Sequence, residues 1–251
     1  MKKLNREIQW LLKEKYNNNP NKKFKKDVKR LERGEPIDYV IGFVNFLGNK
    51  IDLSKKPFIP EPETEYWVLT AINAINAIKR KRRKNICCLD IFSGSGCIGL
   101  AILKNIKKAR VDFAEKEKKF LKQIKINLKI NKIAEERYKI IQSDVFKNIK
   151  KQYDYILANP PYIAKNRKNK IQKSVLEFEP KSTLFGGKDG LFYIRKILEQ
   201  ARIFLKNEGK VYIEFDSGQK KEIERIIKRL NYKNHQFSKD QFDRWRYLLV
   251  W

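Results

Sequence analysis

The chain has 251 residues, with 58 Lys plus Arg against 29 Asp plus Glu and a formal net charge of +29. That length fits one large domain with or without a small appendage, and such a chain buries roughly 70–75% of its unfolded surface with no need of disulfides or metal. Hydrophobic residues at 41% and aromatics at 12% exclude wholesale disorder. Cys87, Cys88 and Cys97 make neither a disulfide framework nor a zinc knuckle, and the single histidine, His235, excludes histidine-rich metal sites.

No apolar run approaches the ~20 residues of a membrane span, and Met1-Lys2-Lys3-Leu4-Asn5-Arg6 leads into no apolar signal core. A soluble, cytoplasmic, monomeric protein is expected. The positive field attracts polyanions, including ribosomes. Lys, Asn and Ile are abundant along the whole chain, so a general compositional habit explains the charge equally well. Proximity to ribosomal RNA suits either explanation.

In chain order, residues 1–34 read as two basic helices broken at Tyr16-Asn17-Asn18-Asn19-Pro20-Asn21, with Gly34 closing the second. Ile37 to Leu53 alternates around Gly42 and Gly48 and predicts a β-hairpin. Pro57, Pro60 and Pro62 stiffen a loop before a helix over 64–78. From Asn85 the texture becomes α/β. Strands are predicted at 86–91, 110–114, 138–142, 153–158, 209–215, 236–239 and 247–251, with helices at 97–105, 117–131, 189–205 and 220–230. Such alternation predicts a mostly parallel sheet with helices on both faces, and ligands beyond the carboxyl ends of its strands. Cys87 and Cys88 read as buried strand residues, Trp245 and Trp251 as packing on the last strand, and His235 as surface.

Four motifs fall at strand ends. In Leu89-Asp90-Ile91-Phe92-Ser93-Gly94-Ser95-Gly96-Cys97, small residues between strand and helix let backbone approach a ligand, and Asp90 suits an ammonium group. Glu115 lies 25 positions beyond Asp90, near the spacing of a carboxylate that accepts ribose hydroxyls. Asp144 ends the third strand. Alone it reads as readily as a helix cap; beside the other two acids it suits an adenine amino group. Three acids without a phosphate-binding lysine suit a cationic nucleoside, S-adenosylmethionine above all. The most specific motif is Ala158-Asn159-Pro160-Pro161-Tyr162. The Asn159 side-chain oxygen and the Pro160 carbonyl can both accept from one planar NH2 group, activating a poor nitrogen nucleophile, while Tyr162 lies against the flat group.

From about Glu32 onward the chain resembles the HemK/PrmC glutamine methyltransferases. The resemblance rests on Arg33-Gly34-Glu35-Pro36, Tyr39-Val40-Ile41-Gly42, Phe46-Leu47-Gly48 and Ile59-Pro60-Glu61-Pro62-Glu63-Thr64-Glu65, then on the glycine motif and Asn159 to Ile163. Phe178-Glu179-Pro180 and Leu184-Phe185-Gly186-Gly187-Lys188-Asp189-Gly190-Leu191 complete it. It implies a class I S-adenosylmethionine-dependent methyltransferase with a Rossmann-like seven-stranded sheet over 57–251, and a short N-terminal helical and hairpin element over 1–56 for substrate recognition. The implied activity is methylation of the glutamine amide in the Gly-Gly-Gln motif of class I peptide chain release factors. By the same resemblance Asp90, Gly94, Gly96, Glu115, Asp144 and Asn159 bind S-adenosylmethionine, while Asn159, Pro160, Pro161 and Tyr162 hold the glutamine and carry catalysis. Three features depart from the family's pattern. Phe92 replaces the first loop glycine, so that turn must tolerate a ring. Glu61 replaces an arginine, a charge reversal beside the site. The region before Glu32 is much shorter than the usual helical domain. A nucleic-acid methyltransferase acting on adenine or guanine is the chief rival, favoured by the charge; only 92 residues follow Asn159, leaving little room for a target-recognition domain. A non-catalytic, ribosome-associated binding protein is a third reading, opposed by the intact Asn159 to Tyr162.

Overall fold

The computed structural model describes residues 2–82 and 85–251. It opens with three helices, α1 (Lys2–Tyr16), α2 (Lys22–Glu32) and α3 (Ile37–Ile41). Asn21 starts α2 by accepting from the Lys23 and Phe24 N–H groups at 2.8 and 3.3 Å. Leu11, Leu31, Ile37, Val40 and Ile41 form a small core of their own. Asp27 and Glu35 pin it: Asp27 accepts from Lys15, Tyr16 and Arg30, and Glu35 from Arg30 and Lys56.

The hairpin β1 (Phe43–Phe46) and β2 (Asn49–Asp52) follows. The sequence predicted hairpin from Ile37; the structure has helix there instead. Ile37, Val40 and Ile41 are buried at i, i+3, i+4, and Gly42 at φ +100° turns the chain into the strand. The inner hairpin residues Phe46 and Ile51 join the main core, where β2 meets α5 (Cys97–Asn105) and α6 (Lys118–Ile130).

Helix α4 (Pro62–Arg82) leads into β3 (Ile86–Ile91). The chain continues through α5, β4 (Ala109–Glu115), α6, β5 (Tyr138–Gln142), β6 (Tyr153–Ala158) and a short unpredicted helix, α7 (Lys173–Phe178). It ends with α8 (Phe192–Gln200), β7 (Leu205–Glu214), α9 (Lys220–Arg229), β8 (His235–Lys239) and β9 (Trp245–Val250). The seven strands run in the order β5-β4-β3-β6-β7-β9-β8, the first five parallel and β9 antiparallel to both neighbours. Strand order reverses between β3 and β6, which opens a crevice at their carboxyl ends. Cys88 points into the core beneath α4, α5 and α6, and its neighbour Leu89 into the core beneath α8 and α9. This period-2 exchange marks a sheet covered on both faces.

The predicted helix over 189–205 is shorter, because Gly190 at φ +80° breaks its start and a 3-10 turn at Ala201–Phe204 ends it. His235 is exposed at the start of β8. Cys88 is buried and Cys87 half-buried. Trp245 is half-buried on β9, whereas Trp251 lies past the strand and is exposed, with the Lys210 ammonium over its ring. Among the described residues no helix is long and apolar enough to cross a membrane.

Candidate active site

A cavity of about 500 Å³ occupies the crevice beyond the carboxyl ends of β3, β4, β5 and β6. Its floor begins at the β3–α5 loop, where Phe92, Gly94 and Gly96 all adopt left-handed backbone, at φ +62°, +52° and +80°. For a ring-bearing residue that conformation is strained, about 1–3 kcal/mol. The turn does tolerate the ring at position 92. The ring reaches the cavity wall and meets Tyr193 edge to face, centroids 5.1 Å apart.

The loop is tied to the end of β4. Ser93 N–H donates to the Ala114 carbonyl at 3.2 Å, and Gly94 N–H to Glu115 Oε2 at 2.9 Å. Glu115 Oε1 accepts from Glu117 N–H at 2.8 Å. Each carboxylate oxygen thus holds one backbone donor and keeps a second lone-pair site for a ligand. Burial raises this carboxyl above its ordinary range. Asp144 also lines the cavity, with the Lys116 ammonium 3.1 Å away.

Two predicted residues lie off the wall. Asp90 is fully buried behind the loop, where its Oδ2 accepts from Gly99 N–H at 2.9 Å. Its Oδ1 has no partner among the described residues, and burial pushes the carboxyl up to about 8. Gly96 caps α5, and a Cβ there would stand 3.3 Å from Ile124 and 3.4 Å from Phe113. Gly94, Glu115, Asp144, Asn159, Pro160, Pro161 and Tyr162 do share the one cavity.

The loop after β6 is clamped from three sides. Gln219 Nε2 donates to the Tyr162 carbonyl at 2.9 Å, and Ile163 bridges to Phe185. The Gly186 and Gly190 backbones lie directly on the loop: a Cβ on Gly186 would stand 2.3 Å from the Pro161 carbonyl oxygen, and one on Gly190 2.2 Å from that of Tyr162. No side chain fits at either position, which is the physical content of the Gly-Gly-x-Asp-Gly-Leu segment.

Behind Asn159 lies a group the sequence reading gave no role. Asn159 Nδ2 donates to Thr64 Oγ1 at 3.1 Å, and Thr64 Oγ1 donates to Glu214 Oε2 at 2.7 Å. Trp67 Nε1 donates to the same oxygen at 2.6 Å, and the Tyr162 hydroxyl to Glu214 Oε1 at 3.0 Å. Glu214 is fully buried and raised by burial, with bonds from Thr64 and Trp67 and the Arg246 charge opposing that rise. The signal that found Glu115, an acid at the end of a buried strand, marks Glu214 equally.

Glu61 lines the cavity between Pro60 and Thr64. Burial, with Glu214 and Glu63 nearby, pushes it up to about 8. The expected charge reversal is therefore largely a charge loss near neutral pH. The unpredicted α7 region supplies Ile171, Gln172 and Val175 to the wall, and Glu179 Oε2 ties it to the proline loop by accepting from Ile59 N–H at 3.3 Å. Phe58, Phe185 and the Phe92–Tyr193 pair add aromatic lining that the sequence reading missed. That pair lies 68° from parallel, no sandwich for a purine.

The model of the Methyltransferase small domain family matches residues 74–187. The release factor glutamine methyltransferase of Flavobacterium psychrophilum is 33% identical over 88% of this chain and 77% of its own length. The enzyme of the same name from Streptococcus pneumoniae is 32% identical over 91% of this chain and 80% of its own. The chain belongs to the release factor glutamine methyltransferase family. Solved structures extend the fold more widely. A methyltransferase from Pyrococcus furiosus superposes with a TM-score of 0.58 at 19% identity, covering 81% of this chain and 88% of that one. The human methyltransferase 10 domain containing protein superposes with a TM-score of 0.58 at 16% identity, covering 82% and 90%. The class I methyltransferase fold is thus shared far beyond the family.

Proposed function

We propose that this protein methylates the side-chain amide of the glutamine in the Gly-Gly-Gln motif of class I peptide chain release factors, with S-adenosylmethionine as methyl donor. The observation that carries this reading is the single cavity shared by the strand-end acids and the Asn159-Pro160 acceptors. Its volume is of the size that encloses a nucleoside and a short side chain.

The residues fit such a donor. Glu115 would accept the ribose hydroxyls on its remaining lone pairs, and Asp144 the adenine amino group. The partnerless Oδ1 of Asp90, buried behind the loop, would serve the ammonium through a bridging water. When bound, the cofactor supplies an electrophilic methyl group on a sulfonium centre. This chain's own residues then do the rest. Asn159 Oδ1 and the Pro160 carbonyl accept the two amide hydrogens, which raises electron density on nitrogen and aligns it for in-line attack. Tyr162 supports the flat amide. Gly186, Gly190 and Gln219 hold the loop rigid, so the acceptors are in place before substrate arrives. The glycines of the target motif let its glutamine enter a narrow wall built from Pro60, Glu61, Val175 and Thr183.

Recognition of the release factor runs through the hairpin Phe43–Asp52 and the positive field, which also favours work near ribosomal RNA in the cytoplasm. Mass spectrometry of the cognate release factor after incubation with enzyme and cofactor tests the proposal. One added methyl on the Gly-Gly-Gln glutamine supports it; transfer only to RNA or DNA adenine overturns it.

A further inference from the structure

We infer that Glu214 and Thr64 set the hydrogen-bond polarity of the Asn159 clamp, acting as positioning residues that hold its carbonyl oxygen toward the substrate. The inference rests on the reading of Asn159 as the acceptor for the target amide. An asparagine side chain is nearly symmetric in shape, so packing alone does not choose which end faces the cavity. A flipped side chain would present NH2 to the NH2 of the substrate, donor against donor, and abolish activation.

The chain of donors makes the choice. Glu214 receives three hydrogen bonds, from Trp67, Thr64 and Tyr162. Oε2 of Glu214 accepts from Trp67 Nε1, which can only donate, and from the Thr64 hydroxyl at 2.7 Å, so the single Thr64 proton points to Glu214 and Thr64 keeps only lone pairs for Asn159. Asn159 must then present Nδ2, as it does at 3.1 Å, which leaves Oδ1 for the substrate. Flipping the amide would set oxygen against oxygen at Thr64. The other carboxylate oxygen fixes the Tyr162 hydroxyl, so one buried group orients both clamp side chains across the two prolines, which have no N–H of their own to offer. Glu214 stands at the carboxyl end of β7 and Thr64 in the first turn of α4. The polarity of the clamp is therefore imposed by elements 55 and 95 positions away from Asn159 in the chain.

The test pairs Thr64→Val, which removes the hydroxyl at nearly constant volume, with Thr64→Ser, which keeps it. Kinetics on the release factor should show kcat about tenfold lower for Thr64→Val, the scale of one lost orienting bond, with cofactor affinity within about twofold of wild type. Thr64→Ser should recover to within about threefold of the wild-type kcat. Adding Thr64→Val to Asn159→Ala should lower kcat no further, because the hydroxyl acts only through that amide. Glu214→Gln, which puts an NH2 among donors, should cost at least as much as Thr64→Val. Wild-type kcat in Thr64→Val, loss in Thr64→Ser equal to that in Thr64→Val, or multiplicative losses in the double variant would each overturn the inference. A wild-type enzyme that leaves glutamine unmethylated overturns the functional reading instead, and this inference with it.

Discussion

Replacing Glu115 by alanine separates the anchoring of the cofactor from the chemistry. In the structure its two oxygens already hold the Gly94 and Glu117 N–H groups at 2.9 and 2.8 Å, so the carboxylate is preoriented with lone pairs to spare. Charge-assisted bonds of this kind contribute about 1.5–3 kcal/mol each when formed, but ribose hydroxyls exchange water for carboxylate, so the pair together should contribute about 1–3 kcal/mol. The dissociation constant for S-adenosylhomocysteine, measured by titration calorimetry, should therefore rise about 5- to 150-fold. Stability should fall by only about 1 kcal/mol, because two backbone donors lose a partner while a buried charge is removed. A 2′-deoxy analogue supplies the cross-check: wild type should bind it more weakly than the parent, whereas Glu115→Ala should bind both alike. Unchanged affinity in the variant, or undiminished discrimination against the deoxy analogue, would refute the assignment.

Asn159→Ala should keep cofactor affinity and lower turnover by roughly 100-fold or more, the scale of one preorganised partner of the transition state, as read from separate kcat and binding measurements. Gly186→Ala forces a Cβ to 2.3 Å from the Pro161 carbonyl oxygen, so it should lower thermal stability by about 1–3 kcal/mol and turnover with it. Burial pushes both Asp90 and Glu61 up to about 8. Between the ordinary carboxylate range and that value the unfolded chain has lost protons that the folded chain retains, so stability should fall as pH rises through this window. Asp90→Asn should accordingly raise the melting temperature over wild type at pH 8–9, with the gain shrinking toward pH 5. Affinity for the release factor should weaken as salt increases from about 0.05 to 0.3 M, because the screening length, about 8 Å at physiological ionic strength, shortens as salt rises; a salt-independent Kd would remove the positive field from recognition.

Three strands were legible residue by residue. Ile86–Ile91, Tyr138–Gln142 and Tyr153–Ala158 fall where the sequence puts them, because short runs rich in β-branched and aromatic residues and bounded by turn residues have few alternatives. The helix α3 was not, since three apolar residues spaced i, i+3, i+4 within five positions read as easily as a loose alternation, and only burial against Leu11 and Leu31 chooses helix. The short α7 was missed because its six residues are too few for a periodic signal.

At the site, the sequence by itself determined which residue types stand at strand ends: Glu115, Asp144, and Asn159 with its two prolines. Strand ends are local, and acids and prolines declare themselves there. Tertiary structure alone decided which of them face the cavity. Asp90 and Gly96 belong to the same motif as Gly94 yet lie off the cavity wall, because Asp90 is still within β3, its Oδ2 bonded to Gly99 N–H, and Gly96 caps α5 against Ile124 and Phe113. It also decided the hydrogen-bond polarity at Asn159. Glu214, Thr64 and Asn159 come from three separate elements, and the direction in which a shared proton points is a property of groups brought within 3.1 Å of one another by the sheet and α4, which no stretch of contiguous sequence contains.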